Sequence, residues 1–137
     1  MLTDEIRQSL IEQAQDAWER AYAPYSEYAV GAALLTDSGK IFQGVNIENA
    51  VYPLTICGER VAVFKAVSEG EMSFKAIAVV TKNGGSPCGS CRQVLAEFGL
   101  DTVVLIADTQ GSLLDELTVG ELLPHSFSQA DLDAARD

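Results

Sequence analysis

Residues 102–117, TVVLIADTQGSLLDEL, decide the topology of this chain. TVVLIA (102–107) is an apolar run rich in β-branched residues and reads as a strand. LLDEL (113–117) reads as another, and only the five residues DTQGS separate the two. A parallel pair needs a crossover of about a dozen residues or more, usually carrying a helix. These two strands are therefore expected to form an antiparallel hairpin.

Working back from the hairpin, FKAIAVVT (74–81) is a strand, and the glycine-rich KNGGSP leads into a helix at about 88–98 that stops at Gly99. Another helix is expected at about 56–69, after NAVYPLT and before Gly70. AVGAALLT and KIFQGVNI flank DSG and read as a hairpin with a three-residue turn. In the first segment, Ile6, Leu10, Ala14, Ala17, Trp18 and Ala21 recur at helical spacing. They predict a helix over 3–22, capped by Thr3 or Asp4 and broken by APYSEY (23–28). Beyond the last strand, TVGELLP reads as a short helix, and the tail from about 128 as a helical turn or two, packed or frayed. The order α-β-β-α-β-α-β-β shows no repeat and no linker. One sheet with helices on its faces, in a single domain spanning 1–137, is the economical α/β architecture.

The balance of residues excludes several functions. Acidic residues outnumber basic ones 20 to 9, giving a net charge of −11 with no basic cluster. Such a surface repels phosphate backbones and anionic lipid, so neither nucleic acid nor membrane is an expected partner. No apolar run approaches the roughly 20 residues that span a bilayer. MLTDEIRQSL is acidic and polar, unlike a secretory signal. A cytoplasmic protein is expected.

PCGSC (87–91) raises three possibilities: a redox pair, half of a metal site, or two buried thiols. The chain holds three cysteines, Cys57, Cys88 and Cys91, and a reducing cytosol disfavours a structural disulfide. Cys57 falls at the start of the second expected helix, and Cys88 and Cys91 at the start of the third. Two converging helix N-termini would favour thiolates, and three adjacent thiolates require a cation. Zn²⁺ prefers such ligands, and three protein ligands with one open position form the catalytic pattern. The single histidine, His125, could instead close the site and make it structural. Glu59 stands two residues after Cys57. Beside a zinc-bound water it could act as a proton shuttle, or it could be a first-turn carboxylate favoured by the helix dipole. CGE followed about thirty residues later by PCGSC matches the established three-cysteine zinc-deaminase signature, in which the glutamate is not a ligand.

From AYAPYSEY to ELLPHSF, and above all in VGAALLTDSGKIFQGVNIENAVYPLTICGERVAVFKAVSEG and SPCGSCRQVLAEF, the chain resembles the small homotetrameric cytidine deaminases. The resemblance implies a three-layer α/β/α domain with a mixed five-stranded sheet. It implies hydrolytic deamination of free cytidine and 2′-deoxycytidine by a zinc-bound hydroxide, in pyrimidine salvage. Cys57, Cys88 and Cys91 would bind one zinc and Glu59 would shuttle protons. Asn46 and Glu48 of NIENA would hold the ribose hydroxyls, although Asn and Glu just past a strand also serve to order a turn. The backbone at Gly58 and Ser86 would read the pyrimidine edge. Arg60 would donate to the thiolates, offsetting the net charge of about −1 that three of them leave on a dication. Tyr28 would lie near the nucleoside, and Phe127 would reach the site of a neighbouring subunit. Tyr28 stands where relatives commonly have Phe, Gly58 where they commonly have Ala, and KNGG is shorter than in many of them. In the wider superfamily, a terminal antiparallel hairpin accompanies free nucleosides, whereas the polynucleotide branch typically inserts a helix. The alternatives are a related aminopyrimidine deaminase such as blasticidin-S deaminase, a non-catalytic structural zinc module, and a thiol redox protein.

Overall fold

The computed structural model describes residues 2–136. Helix α1 (Asp4–Trp18) begins where the Thr3 hydroxyl accepts the Ile6 N–H. It ends four residues short of the expected boundary at 22. The Trp18 indole donates to the Ala29 carbonyl at 3.0 Å, and Tyr22 leaves helical geometry to donate to the Asn46 carbonyl at 3.0 Å. Strands β1 (Gly31–Thr36) and β2 (Ile41–Val45) form the first hairpin, in register from Gly31–Val45 to Leu35–Ile41. Its turn closes through Gly39 at φ +95°, a conformation that favours glycine.

A 3₁₀ turn at Tyr52–Leu54 precedes helix α2 (Gly58–Ser68). Strand β3 (Phe74–Thr81), helix α3 (Gly89–Glu97) and strand β4 (Val103–Asp108) form the one crossover that produces a parallel pair. Strand β5 (Leu113–Thr118) returns antiparallel to β4, as the five-residue connection requires. Asp108 orders that turn, its carboxylate accepting the N–H groups of Gln110 and Ser112 at 2.9 and 3.0 Å. Two short helices follow, α4 (Val119–Leu122) and α5 (Gln129–Ala134), each with a capping box, and α5 is fully exposed.

The five strands form one mixed sheet in the order β2-β1-β3-β4-β5. Both faces are covered, so β1 and most of β3 are buried at every position. Ala33, Leu35, Ala76, Ala78, Val80, Leu105 and Ala107 pack with Leu10, Ile11 and Ala14 of α1. The alternate residues, among them Ala32, Leu34, Ile77, Val79, Val104 and Ile106, pack with Ala62, Val63 and Ala66 of α2 and Leu95 of α3. The result is the expected three layers, α1 on one face and α2 with α3 on the other. Two glycines set how closely the helices approach. A Cβ at Gly31 would lie 2.5 Å from the Trp18 nitrogen, and one at Gly44 would lie 2.5 Å from the Ala62 nitrogen. Among the described residues, no helix is long and apolar enough to cross a membrane.

Candidate active site

Gly44 brings the first turn of α2 down onto the sheet beside the end of β3, from which the chain runs into α3. The two helix N-termini therefore meet. Cys57 is the N-cap residue of α2, Cys88 is the N-cap residue of α3, and Cys91 lies in the first turn of α3. The Cys57 and Cys88 sulfurs are 3.8 Å apart and those of Cys88 and Cys91 3.5 Å, too long for disulfides. All three lie within 4.8 Å of one another. Tetrahedral Zn–S bonds of about 2.3 Å would space sulfurs about 3.8 Å apart, so this donor set fits one zinc ion. Without a cation, the crowded thiols are pulled apart in acidity. A hydrogen bond from Cys91 and the adjacent Arg60 guanidinium hold the Cys57 thiol down at about 5. The same partnership with Cys57, together with burial, drives Cys91 in the opposite direction. Ionising all three at these distances would need a cation.

Arg60 sits one helical turn past Cys57 and donates from its guanidinium to the Cys57 sulfur at 3.1 Å. Glu59 is only 4% exposed and faces the same cavity as Cys57 and Cys88. Burial pushes its carboxyl up to about 7, and the nearby Cys57 charge adds to the shift. The cavity, about 300 Å³, is also lined by Tyr28, Asn46, Glu48 and Ser86. Gly58 is buried just behind this wall, where a Cβ would stand 3.2 Å from both the Asn46 nitrogen and the Val30 carbonyl oxygen.

Asn46 and Glu48 line the cavity and also order its rim. The Asn46 amide accepts from the Val30 N–H at 2.9 Å and donates to the Tyr28 carbonyl at 2.8 Å. The Glu48 carboxylate accepts the Tyr25 and Ser26 N–H groups at 2.9 and 3.0 Å and the Ser26 hydroxyl. These Ser26 hydrogen bonds hold Glu48 below its ordinary range. The turn-ordering role weighed for these two residues is thus present in the structure alongside their exposure to the cavity.

Two of the residues weighed from the sequence lie outside this cavity. Phe127 is 59% exposed and does not line this cavity. His125 is exposed at φ +56° and is not part of the thiol cluster, so among the described residues nothing closes the site as a fourth ligand. Conversely, Ser26, Thr81 and Gly85 line the cavity without having been anticipated. Their roles depend on contacts across the fold: Ser26 to Glu48, and the Thr81 hydroxyl accepting the Gly85 N–H at 2.7 Å. Arg92 was also missed. Directly after Cys91, it donates to the Pro87 carbonyl at 2.7 Å, to the Leu122 carbonyl at 2.8 Å and to the Ser86 hydroxyl.

Comparison with known proteins agrees with this geometry. The family model for the cytidine and deoxycytidylate deaminase zinc-binding region matches residues 4–107. A cytidine deaminase of Sporosarcina psychrophila is 50% identical over 133 residues, covering 95% of this chain and 97% of its own. The cytidine deaminase of Halalkalibacterium halodurans is 52% identical over 130 residues, covering 93% and 98%. The crystal structure of cytidine deaminase from Burkholderia pseudomallei superposes with a TM-score of 0.84 at 46% identity, over 92% of this chain and 100% of that one. Sequence and fold agree over nearly the whole length, and the chain belongs to the cytidine and deoxycytidylate deaminase family.

Proposed function

We propose that this chain hydrolyses free cytidine and 2′-deoxycytidine to uridine and 2′-deoxyuridine, releasing ammonia. The observation that carries this reading is the placement of the buried Glu59 carboxylate in the same cavity as a three-thiol cluster. Zinc held by Cys57, Cys88 and Cys91 would supply the Lewis acidity that makes water a nucleophile at neutral pH. Glu59 takes a proton from the attacking water and delivers it to N3 of the pyrimidine as oxygen adds at C4. It then transfers the second water proton to the departing amine, so cytidine and water give uridine and ammonia. A carboxyl raised to about 7 is suited to both roles, because it accepts and returns a proton near neutrality. Arg60 neutralises charge on the thiolates. Asn46 and Glu48 receive the ribose hydroxyls, the backbone at Gly58 and Ser86 reads the base edge, and Tyr28 walls the base.

The finer reading is a cytoplasmic homotetramer serving pyrimidine salvage, built from one domain per chain. In it, exposed Phe127 completes the site of a neighbour. It is supported by exposed apolar side chains at Ile47, Val51, Tyr52 and Leu54, a contiguous segment suited to subunit contact.

The test pairs metal analysis with ultraviolet loss of cytidine and 2′-deoxycytidine, with blasticidin S as a competing substrate. One zinc per chain and turnover of both nucleosides is expected. One zinc per chain with turnover of blasticidin S alone, or of nothing, would overturn the reading.

A further inference from the structure

We infer that the Tyr28 hydroxyl, Asn83 and Gly85 form a latch across the mouth of the cavity, making Asn83 and Gly85 positioning residues for the bound base. The inference rests on the deamination reading above and assigns these residues a role within the same site.

Two loops face each other across the cavity. One, residues 23–30, joins α1 to β1, and the other, residues 82–88, joins β3 to α3. Among the described residues, the hydrogen bonds between these loops reduce to one: the Tyr28 hydroxyl donates to the Asn83 side-chain carbonyl at 2.6 Å. Apart from the Cys88 sulfur, which meets Cys57 of α2, the other anchors of the second loop run to its own neighbours. The Gly85 N–H donates to Thr81 at the end of β3, and Arg92 of α3 holds Ser86 and Pro87. Among the described residues, the latch is thus the only hydrogen bond between these two loops.

Gly85 supplies a second observation at the same hydroxyl. Its φ lies outside the left-handed region, so its backbone does not require glycine. Position is what matters: a Cβ there would fall on the Tyr28 hydroxyl, so the added methyl and that hydroxyl cannot both keep their places. With Phe at position 28 that obstacle would be absent. The hydroxyl at 28, the acceptor at 83 and the missing side chain at 85 interlock as one device.

The latch also joins the two sides of the site. Glu48 holds Ser26, and the Ser26 hydroxyl accepts the Tyr28 N–H at 3.1 Å. Asn46 holds the Tyr28 carbonyl at 2.8 Å. Tyr28 then reaches Asn83, three residues before Ser86. The wall proposed to hold the ribose is thereby connected to the loop proposed to read the base, and the separation between them is set before substrate arrives.

The experiment compares Tyr28→Phe, Asn83→Ala, Gly85→Ala, Tyr28→Phe/Asn83→Ala and Tyr28→Phe/Gly85→Ala. Zinc content, cytidine kinetics and uridine affinity by calorimetry are measured for each. Asn83→Ala should raise KM and weaken uridine binding about three- to ten-fold, the scale of one hydrogen bond, with kcat within about twofold and zinc retained. Tyr28→Phe/Asn83→Ala should be no worse than the worse single variant. Gly85→Ala should be the most impaired, and adding Tyr28→Phe should return it to the level of Tyr28→Phe alone. Multiplying effects in the first double variant would overturn the latch. So would a Gly85→Ala defect of equal size in both backgrounds, or an Asn83→Ala defect confined to kcat. If Gly85→Ala fails to fold, the Tyr28–Asn83 cycle decides the matter. Failure of the wild type to turn over cytidine would count against the deamination reading alone, since the cycle can still be read through uridine affinity.

Discussion

Two carboxylates in one cavity are pulled in opposite directions. Glu59 is raised because burial removes it from water, and Glu48 is lowered because hydrogen bonds from Ser26 and Tyr25 stabilise its charge. The raised group is the one suited to exchanging protons. Glu59→Gln should retain zinc and lose about 10²- to 10⁴-fold in kcat, measured beside metal content. Near-normal turnover in that variant would sink its role. Glu48 bears on stability as well as binding. A carboxyl whose folded value is depressed stabilises the fold above its unfolded value and loses that contribution as pH falls. The thermal midpoints of wild type and Glu48→Gln should therefore differ at neutral pH and converge as pH drops below 4.5. Of these roles, Glu59 was visible in the sequence through the CGE spacing. The partnership of Glu48 with Ser26 was not, because the two are 22 residues apart and no local pattern joins them.

At the scale of elements, the site depends on how closely α2 approaches β2. Gly44→Ala would place a methyl group on the first turn of α2, which carries Glu59 and follows Cys57 directly. Gly31→Ala makes a comparable collision with α1 on the other face, away from the thiols. Each should cost about 1–3 kcal/mol in urea denaturation, the usual scale of overpacking. Gly44→Ala should lose more activity for the same loss of stability, and equal activity losses would count against this placement of the helix. Neither glycine was singled out from the sequence as a contact point. Each looked like one more small residue in a strand, and only the helix lying against it gives it meaning. Helix boundaries shared this weakness. The periodicity that predicted α1 ran through Ala21, but the bridge from Tyr22 to the segment at Asn46 and Ile47 ends the helix sooner.

For the whole molecule, the thiol cluster joins the N-termini of two helices that also touch each other directly. Cys57 belongs to α2, and Cys88 and Cys91 belong to α3. A metal bound there stabilises the folded state by mass action, about 4 kcal/mol when free metal stands a thousandfold above its dissociation constant. Chelation should lower the thermal midpoint and abolish cytidine turnover together, and added zinc should restore both. A chelated protein that loses turnover at an unchanged midpoint would show that the metal does not brace the two helices.

The sequence by itself determined the order of elements, the terminal hairpin and the identity of the three thiols and Glu59. Each of these is a local property: a period, a connection length, a spacing within one helix turn. The tertiary structure decided what lies between segments. It moved the end of α1, set Phe127 and His125 outside the cavity, and engaged Asn46 and Glu48 in the hydrogen bonds that order its rim. It also paired Tyr28 with Asn83 and Gly85, residues 55 or more positions apart in the chain. Contacts of that kind arise only when the sheet brings two loops to the same end, and no stretch of sequence records the distance between them.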